Sequence, residues 1–327
     1  LIPHLKVETE NAEKTRLALE LSGNLNKNFR PIKEEGYILW PVTEGTTGDI
    51  IFRSGIPSKD SSGDYRSLLP KEIAILAPRA FDVLGHVAII SPEDSFSDFI
   101  PEISKALLTK HKNIKTVATD GGVGGDFRVR DLKYVSGDEN FVVLHKENNF
   151  IFEFDISEVY FSPRLSLERS LVLNRAKINE SVLDMFTGVG PFSIYLSKKA
   201  SHITAIDANP LAKKWFFNNI CKNKIDEAKF TFIEGFAEDV APTLTSKFDR
   251  IIMNHPTSSL NYLDISKNLL KDQGVINFYL IADRLKEEPT PNLPFMESPH
   301  WLIKDSRVVH AYSPSKELRA YELYLSD

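Results

Sequence analysis

The chain has 327 residues, 42% hydrophobic and 26% charged, which supplies folded cores and excludes a disordered or fibrous protein. Its apolar runs, Val87-Ala-Ile-Ile90 and Phe141-Val-Val-Leu144 among them, fall far short of the roughly 18 residues of a membrane span, so no membrane association is expected. A net charge of −5 gives no long-range attraction to nucleic acid, so any polyanion site must be local.

Residues 11–23 place apolar side chains at Ala12, Leu17, Ala18 and Leu21 and stop at Gly23, which predicts a short amphipathic helix. Tyr37-Ile-Leu-Trp40 predicts a strand. In residues 54–64, seven of eleven are Ser, Gly or Pro, the composition of a linker. The expected division is therefore a small α+β module over 1–53, a linker over 54–70, an α+β middle domain over 71–165 and an α/β domain over 166–327. In the middle domain, strands are expected at 80–90, 115–119, 141–145 and 150–154, and a helix at 97–110. Between Ile103 and Lys133, seven Lys and Arg face three Asp, the one basic block of the chain.

From 166 onward, apolar runs at 181–184, 202–207, 229–234, 248–254 and 274–279 alternate with helical patterns, and an antiparallel pair closes the chain at 307–312 and 319–324. This is the sequence form of a doubly wound, Rossmann-like parallel sheet. Cys221 is the only cysteine, which excludes an internal disulfide and a cysteine-based metal centre and fits a reducing cytoplasm. The first residues lack the basic and then apolar pattern of a signal peptide, so no export is expected. The histidines have no ligand spacing, and no metal is expected.

The turn after the first of these strands, Asp184-Met-Phe-Thr-Gly-Val-Gly-Pro-Phe192, leads into a helix, so backbone at Gly188 and Gly190 can approach a nucleotide-like ligand. Ser193 stands where a dinucleotide motif has its third glycine, which disfavours NAD or FAD. Asp207 ends the next strand, where a carboxylate would accept hydrogen bonds from ribose hydroxyls, and Asn209-Pro210 then opens a helix. Asn254-His-Pro-Thr257 follows the fourth strand, where an amide and a rigid N–H-free backbone suit a planar amino-bearing base.

These motifs, with Val159-Tyr-Phe-Ser-Pro-Arg-Leu-Ser-Leu-Glu-Arg169 upstream, resemble the archaeal and eukaryotic tRNA guanine-37 N1-methyltransferases along the whole chain. The resemblance implies a class I S-adenosylmethionine (SAM) domain, a tRNA-binding N-terminal module and a middle domain that contacts RNA. It implies Asp184, Phe186, Thr187, Gly188, Gly190, Asp207, Asn209, Phe236 and Asn254 as cofactor contacts. Related SAM domains often have an acidic residue after the third strand to receive the adenine amino group; this chain departs with Glu234-Gly-Phe-Ala-Glu238, so Phe236 is expected to pack on adenine instead, with Glu238 or a backbone carbonyl taking the amino group. Guanine N1 carries a proton, so its methylation needs a base near N1 and a positive group at O6. By the same resemblance Glu168 is the base, Arg128 stabilises O6, and Asn254 and Pro256 hold the guanine edge. Arg128, Arg130, Arg164 and Arg169 would contact RNA, the last two meeting phosphate or orienting Glu168.

The expectation is a monomeric cytoplasmic enzyme methylating N1 of guanosine 37 in tRNA. The rival in the same family is a wyosine-pathway enzyme, transferring the aminocarboxypropyl group of SAM or methylating a tricyclic guanine; Asn254-His-Pro-Thr257 in place of the commoner Asn-Leu-Pro-Lys raises it. A non-catalytic RNA-binding protein and a NAD-dependent oxidoreductase are the more distant alternatives.

Overall fold

The computed structural model describes residues 1–57, 64–125, 127, 129–284, 300–313 and 315–326. Its contacts divide the chain into two compact units, one formed by Leu1–Asp82, Ala88–Thr119 and Lys133–Glu139, the other by Val83–Val87, Asp120–Leu132 and Asn140–Asp327.

In the first unit, strands Ile32–Glu34, Tyr37–Pro41, Ile2–Glu8 and Ile50–Arg53 form an antiparallel sheet in that order. Helix Ala12–Leu21 lies where expected and buries Ala12 and Leu19 with Trp40 and Val42. Its inward face differs from the expected one: Leu21 is 66% exposed, whereas Arg16 and Glu20 are buried. Arg16 pairs with both Glu13 and Glu20, and this pairing lets the two charged side chains leave water. The described residues of the stretch expected as linker make defined contacts. Ile56–Pro57 pairs with Phe29–Arg30, and the hydroxyl of buried Tyr65 donates to the Pro78 carbonyl at 2.6 Å. A second core gathers Tyr65, Ile90 and Phe96 against Ile103 and Leu107 of helix Ile100–Lys110.

The second unit is built on a seven-stranded sheet. Its strands are β1 (Ser181–Asp184), β2 (His202–Asp207), β3 (Phe230–Glu234), β4 (Phe248–Met253), β5 (Leu270–Asp283), β6 (Trp301–Ala311) and β7 (Lys316–Leu325). The order is β3-β2-β1-β4-β5-β7-β6, with β1 to β5 parallel and β7 antiparallel to β5 and β6. The expected parallel sheet and closing pair are both present. Leu183, Ile206, Ile251, Met253, Ile276 and Phe278 fill its core, as continuous apolar runs do when a sheet is covered on both faces. Helices α1 (Ser166–Arg175), α2 (Pro191–Leu196) and α3 (Pro210–Lys222) belong to the same unit.

A hairpin of Val142–Glu147 and Phe150–Asp155 turns through Asn148 and Asn149, both at positive φ (46° and 68°), as a tight two-residue turn requires. It was expected in the middle domain, yet it groups with the second unit because its outer strand docks on α3. Asn219 accepts from the Glu153 N–H at 2.7 Å, and Asn223 accepts from the Ile151 N–H at 2.9 Å and donates to the Ile151 carbonyl at 2.6 Å. Among the described residues, no helix is long and apolar enough to cross a membrane.

Candidate active site

In open parallel sheets, ligands bind beyond the carboxyl ends of the strands where the strand order reverses, here between β1 and β4. Gly190 caps α2 in the left-handed region (φ 85°), and a Cβ there would lie 2.7 Å from the Phe216 ring. Gly188 (φ 54°) donates its N–H to Asp207 Oδ2 at 2.6 Å, and Asp207 Oδ1 accepts from the Asn209 N–H at 2.9 Å. Asn209 caps α3 by accepting from the Leu211 N–H at 2.9 Å, and it donates to the Glu158 carbonyl at 2.8 Å. Burial pushes the Asp207 carboxyl upward.

Asp184 ends β1 fully buried. Its Oδ2 accepts from the Ser193 hydroxyl at 2.7 Å, while Oδ1 has no hydrogen-bond partner among the described residues. Burial pushes its carboxyl up to about 6, against the hydroxyls of Ser193 and Thr187. Ser193, read from sequence only as a departure from a dinucleotide motif, is thus the residue that holds Asp184.

A cleft of about 450 Å³ opens at this edge. Of the expected site residues, Phe186, Thr187, Gly188, Asp207, Asn209, Phe236, Asn254 and Pro256 line it together. Asp184 and Gly190 lie behind that wall. Phe236 is 41% exposed and stacks on Phe127 at 6.5 Å, with 22° between the rings. Glu238, also on the wall, accepts from the Tyr262 hydroxyl at 2.9 Å. Burial and then Glu238 push that hydroxyl up to about 12. The Asn254 carboxamide has no hydrogen-bond partner among the described residues and is free to meet a ligand. Tyr160, Tyr262, His310 and Tyr312 complete the cleft. Tyr160 stands in the 159–169 motif without a role having been assigned to it, and sequence reasoning missed Tyr262, His310 and Tyr312, which a loop and the closing hairpin supply without any motif.

The charged candidates are arranged differently from expectation. Glu168 on α1 is only 4% exposed and is not on the cleft wall; it accepts from the Tyr279 hydroxyl and from Arg307. Arg169 borders the cleft but is 1% exposed, its guanidinium held by both Glu147 oxygens at 2.7 Å and by the Ser162 carbonyl at 3.2 Å. Among the described residues no hydrogen bond ties it to Glu168, and its guanidinium is held inside the fold rather than displayed. Arg130 pairs with Asp120 at 2.5 Å, both largely buried, so its charge is compensated rather than displayed. Arg164 is exposed on the 3-10 turn Pro163–Leu165. Arg128 lies outside the described residues.

Comparison with known proteins gives three family matches: TRM5/TYW2 methyltransferase domain over residues 143–302, TYW2 N-terminal domain over 66–140 and tRNA methyltransferase 5 N-terminal domain over 5–50. The chain is 34% identical to tRNA (guanine(37)-N(1))-methyltransferase Trm5b of Pyrococcus abyssi, over 84% of this chain and 83% of that protein. It is 28% identical to Trm5b of Methanocaldococcus jannaschii over 98% of both. A solved complex of aTrm5 and tRNALeu is similar with a TM-score of 0.71 and 27% identity, over 99% of each chain.

Proposed function

The chain belongs to the tRNA (guanine(37)-N(1))-methyltransferase family, and we propose on that footing that it transfers the methyl group of SAM to N1 of guanosine 37 in the anticodon loop of tRNA. The observation that supports this most is the single cleft at the β1/β4 reversal, which unites Asp207, Phe236, Asn254 and Pro256.

The residues present fit the cofactor. A buried Asp184 oxygen without a partner and the Asp207 carboxylate suit its polar and cationic parts, the glycine turn leaves room for close approach, and Phe236 offers an aromatic face for adenine. When bound, the cofactor supplies an electrophilic methyl on a sulfonium sulfur. Asn254 and Pro256 orient the guanine edge, and the target base leaves its stack to reach them. Glu168 takes the N1 proton once its carboxylate is released from Arg307, and Arg128 offsets the charge that grows on O6.

In this reading residues 1–53 bind tRNA, the middle region contacts RNA, and the second unit, with its cleft, carries the chemistry. A tRNA substrate and the lone exposed Cys221 suit a monomeric enzyme of the reducing cytoplasm. The test is incubation with SAM and unmodified tRNA, then nuclease digestion and mass spectrometry of the nucleosides. A 1-methylguanosine peak that vanishes when guanosine 37 is replaced supports the reading. An aminocarboxypropyl or C-methyl product on a tricyclic base would transfer it to the wyosine pathway.

A further inference from the structure

The first unit contains a second cavity, of about 530 Å³, within the range of small-ligand sites. Five cations line it, Lys27, Arg30, Arg66, Lys71 and Arg79, against the two carboxylates Glu20 and Asp64. This excess of positive charge sits in a chain whose net charge is −5.

The two carboxylates are already committed. Asp64 is gripped by Arg66, whose Nε lies 2.8 Å from Oδ2. Glu20, 5% exposed, is shared among Arg16, Lys27 at 3.0 Å and Arg79 at 3.5 Å. Arg79 is thus last in line for one carboxylate, at the outer limit of a hydrogen bond. Arg30 and Lys71 form no ion pair among the described residues. Burial, followed by the neighbouring Arg66 and Arg16, lowers the proton affinity of Arg79, the direction expected of a cation short of countercharge. Trp40, on the same cavity wall, has a buried indole N–H with no acceptor among the described residues. An indole only donates, so donors outnumber acceptors in the surroundings of this cavity.

We propose that this cavity binds a phosphate group through Arg79, Lys71, Arg30 and Lys27. Guanidinium and ammonium donors are the groups that recognise phosphate oxygens, and the volume leaves room for a sugar attached to the phosphate. The inference deepens the reading of residues 1–53 as tRNA-binding and rests on it for the source of the phosphate, an RNA backbone. A free phosphate compound uses the same chemistry.

The test is calorimetric titration of the full chain with inorganic pyrophosphate, alongside Arg79→Gln, Arg79→Lys and Lys71→Gln. Saturable binding that weakens at least tenfold in Arg79→Gln and recovers in Arg79→Lys supports the site, provided SAM affinity stays unchanged. Lys71→Gln, altering an exposed and unpaired side chain, carries the test if Arg79→Gln does not fold. Pyrophosphate that displaces tRNA, with a salt slope of tRNA binding reduced by about one in Arg79→Gln, identifies an RNA phosphate as the ligand. Pyrophosphate that binds at this site without displacing tRNA identifies a free anion. Absent binding, or equal affinity in wild type and both charge-removing variants, overturns the proposal. Selective pyrophosphate binding without any methylated product would leave this site standing and remove the methyltransferase reading instead.

Discussion

Arg307 grips both oxygens of the Glu168 carboxylate, Nε on Oε2 at 3.0 Å and Nη2 on Oε1 at 2.5 Å. Tyr279 adds its hydroxyl to Oε1 at 2.8 Å, and burial together with Glu168 pushes that hydroxyl well above its ordinary value, so it stays a donor. Arg307 also pairs with Asp305, which in turn pairs with Arg175 at 2.5 Å. The candidate base is therefore stored inside a chain of alternating charges, and taking a proton requires it to leave that chain.

Glu168→Gln is expected to lower methyl transfer by about 10²–10⁴-fold with SAM binding retained. Wild-type turnover would remove Glu168 from the chemistry. Arg307→Ala strands a buried carboxylate and is expected to cost about 3–5 kcal/mol in chemical denaturation. The double variant should lose less than the sum of the two single losses.

Arg169→Ala is expected to destabilise the fold by a similar ~3–5 kcal/mol, while the folded variant keeps its tRNA affinity. Burial alone would raise the Glu147 carboxyl, but His145 and Arg169 outweigh burial and hold it at about 2. Its contribution is thus fully present above the unfolded value of 4.5 and is lost as pH falls through about 2. The gap between wild type and Arg169→Ala should therefore narrow between those values in an acid-unfolding series. A tRNA-binding defect at full stability would return Arg169 to the RNA surface.

Asp184 has the opposite sign. Its folded carboxyl titrates near 6 against 3.8 unfolded, so the protonated form is favoured in the native state, and stability declines as pH rises from 3.8 to about 6 before levelling. Asp184→Asn removes that decline, shifting the stability difference toward the variant by up to about 3 kcal/mol between pH 4 and pH 7. SAM is a cation, so its affinity should rise across the same interval in the wild type and stay flat in the variant. Isothermal titration at a few pH values checks this.

Gly190→Ala and Gly188→Ala should separate. Both glycines have positive φ, but a Cβ at Gly190 meets Phe216 at 2.7 Å whereas at Gly188 the nearest atom is the Tyr160 carbonyl oxygen at 3.7 Å. The left-handed conformation alone costs about 1–2 kcal/mol. Thermal unfolding should therefore show the larger loss for Gly190→Ala, and a larger loss for Gly188→Ala would contradict the packing described.

The parallel sheet was legible because apolar-rich segments at β1 to β4 alternate with helical patterns along the chain. Partners distant in sequence were not legible. Tyr279 and Arg307 reach Glu168 across 111 and 139 residues, and no spacing rule carries that far. Helix Ala12–Leu21 was found but turned to the wrong face, because periodicity counts apolar residues and cannot foresee that Arg16 and Glu20 are buried as a pair. The hairpin of Val142–Glu147 and Phe150–Asp155 was found as strands yet assigned to the wrong neighbours, since its anchors are two asparagines on a helix.

Those asparagines act as a ruler. Asn219 and Asn223 are four residues apart on a helix, about 6 Å, and they reach Ile151 and Glu153, two residues apart on a strand, about 6.6 Å. One turn of helix thus counts off one repeat of strand. A slip of a single residue would break the match and turn Phe150, Phe152 and Phe154 out of the interior. Beyond the turn that follows Asp155, the chain leads to Val159, Tyr160, Phe161 and Ser162 of the cleft. Two amides remote from the cleft therefore fix the register of the strand from which the chain turns into the cleft wall.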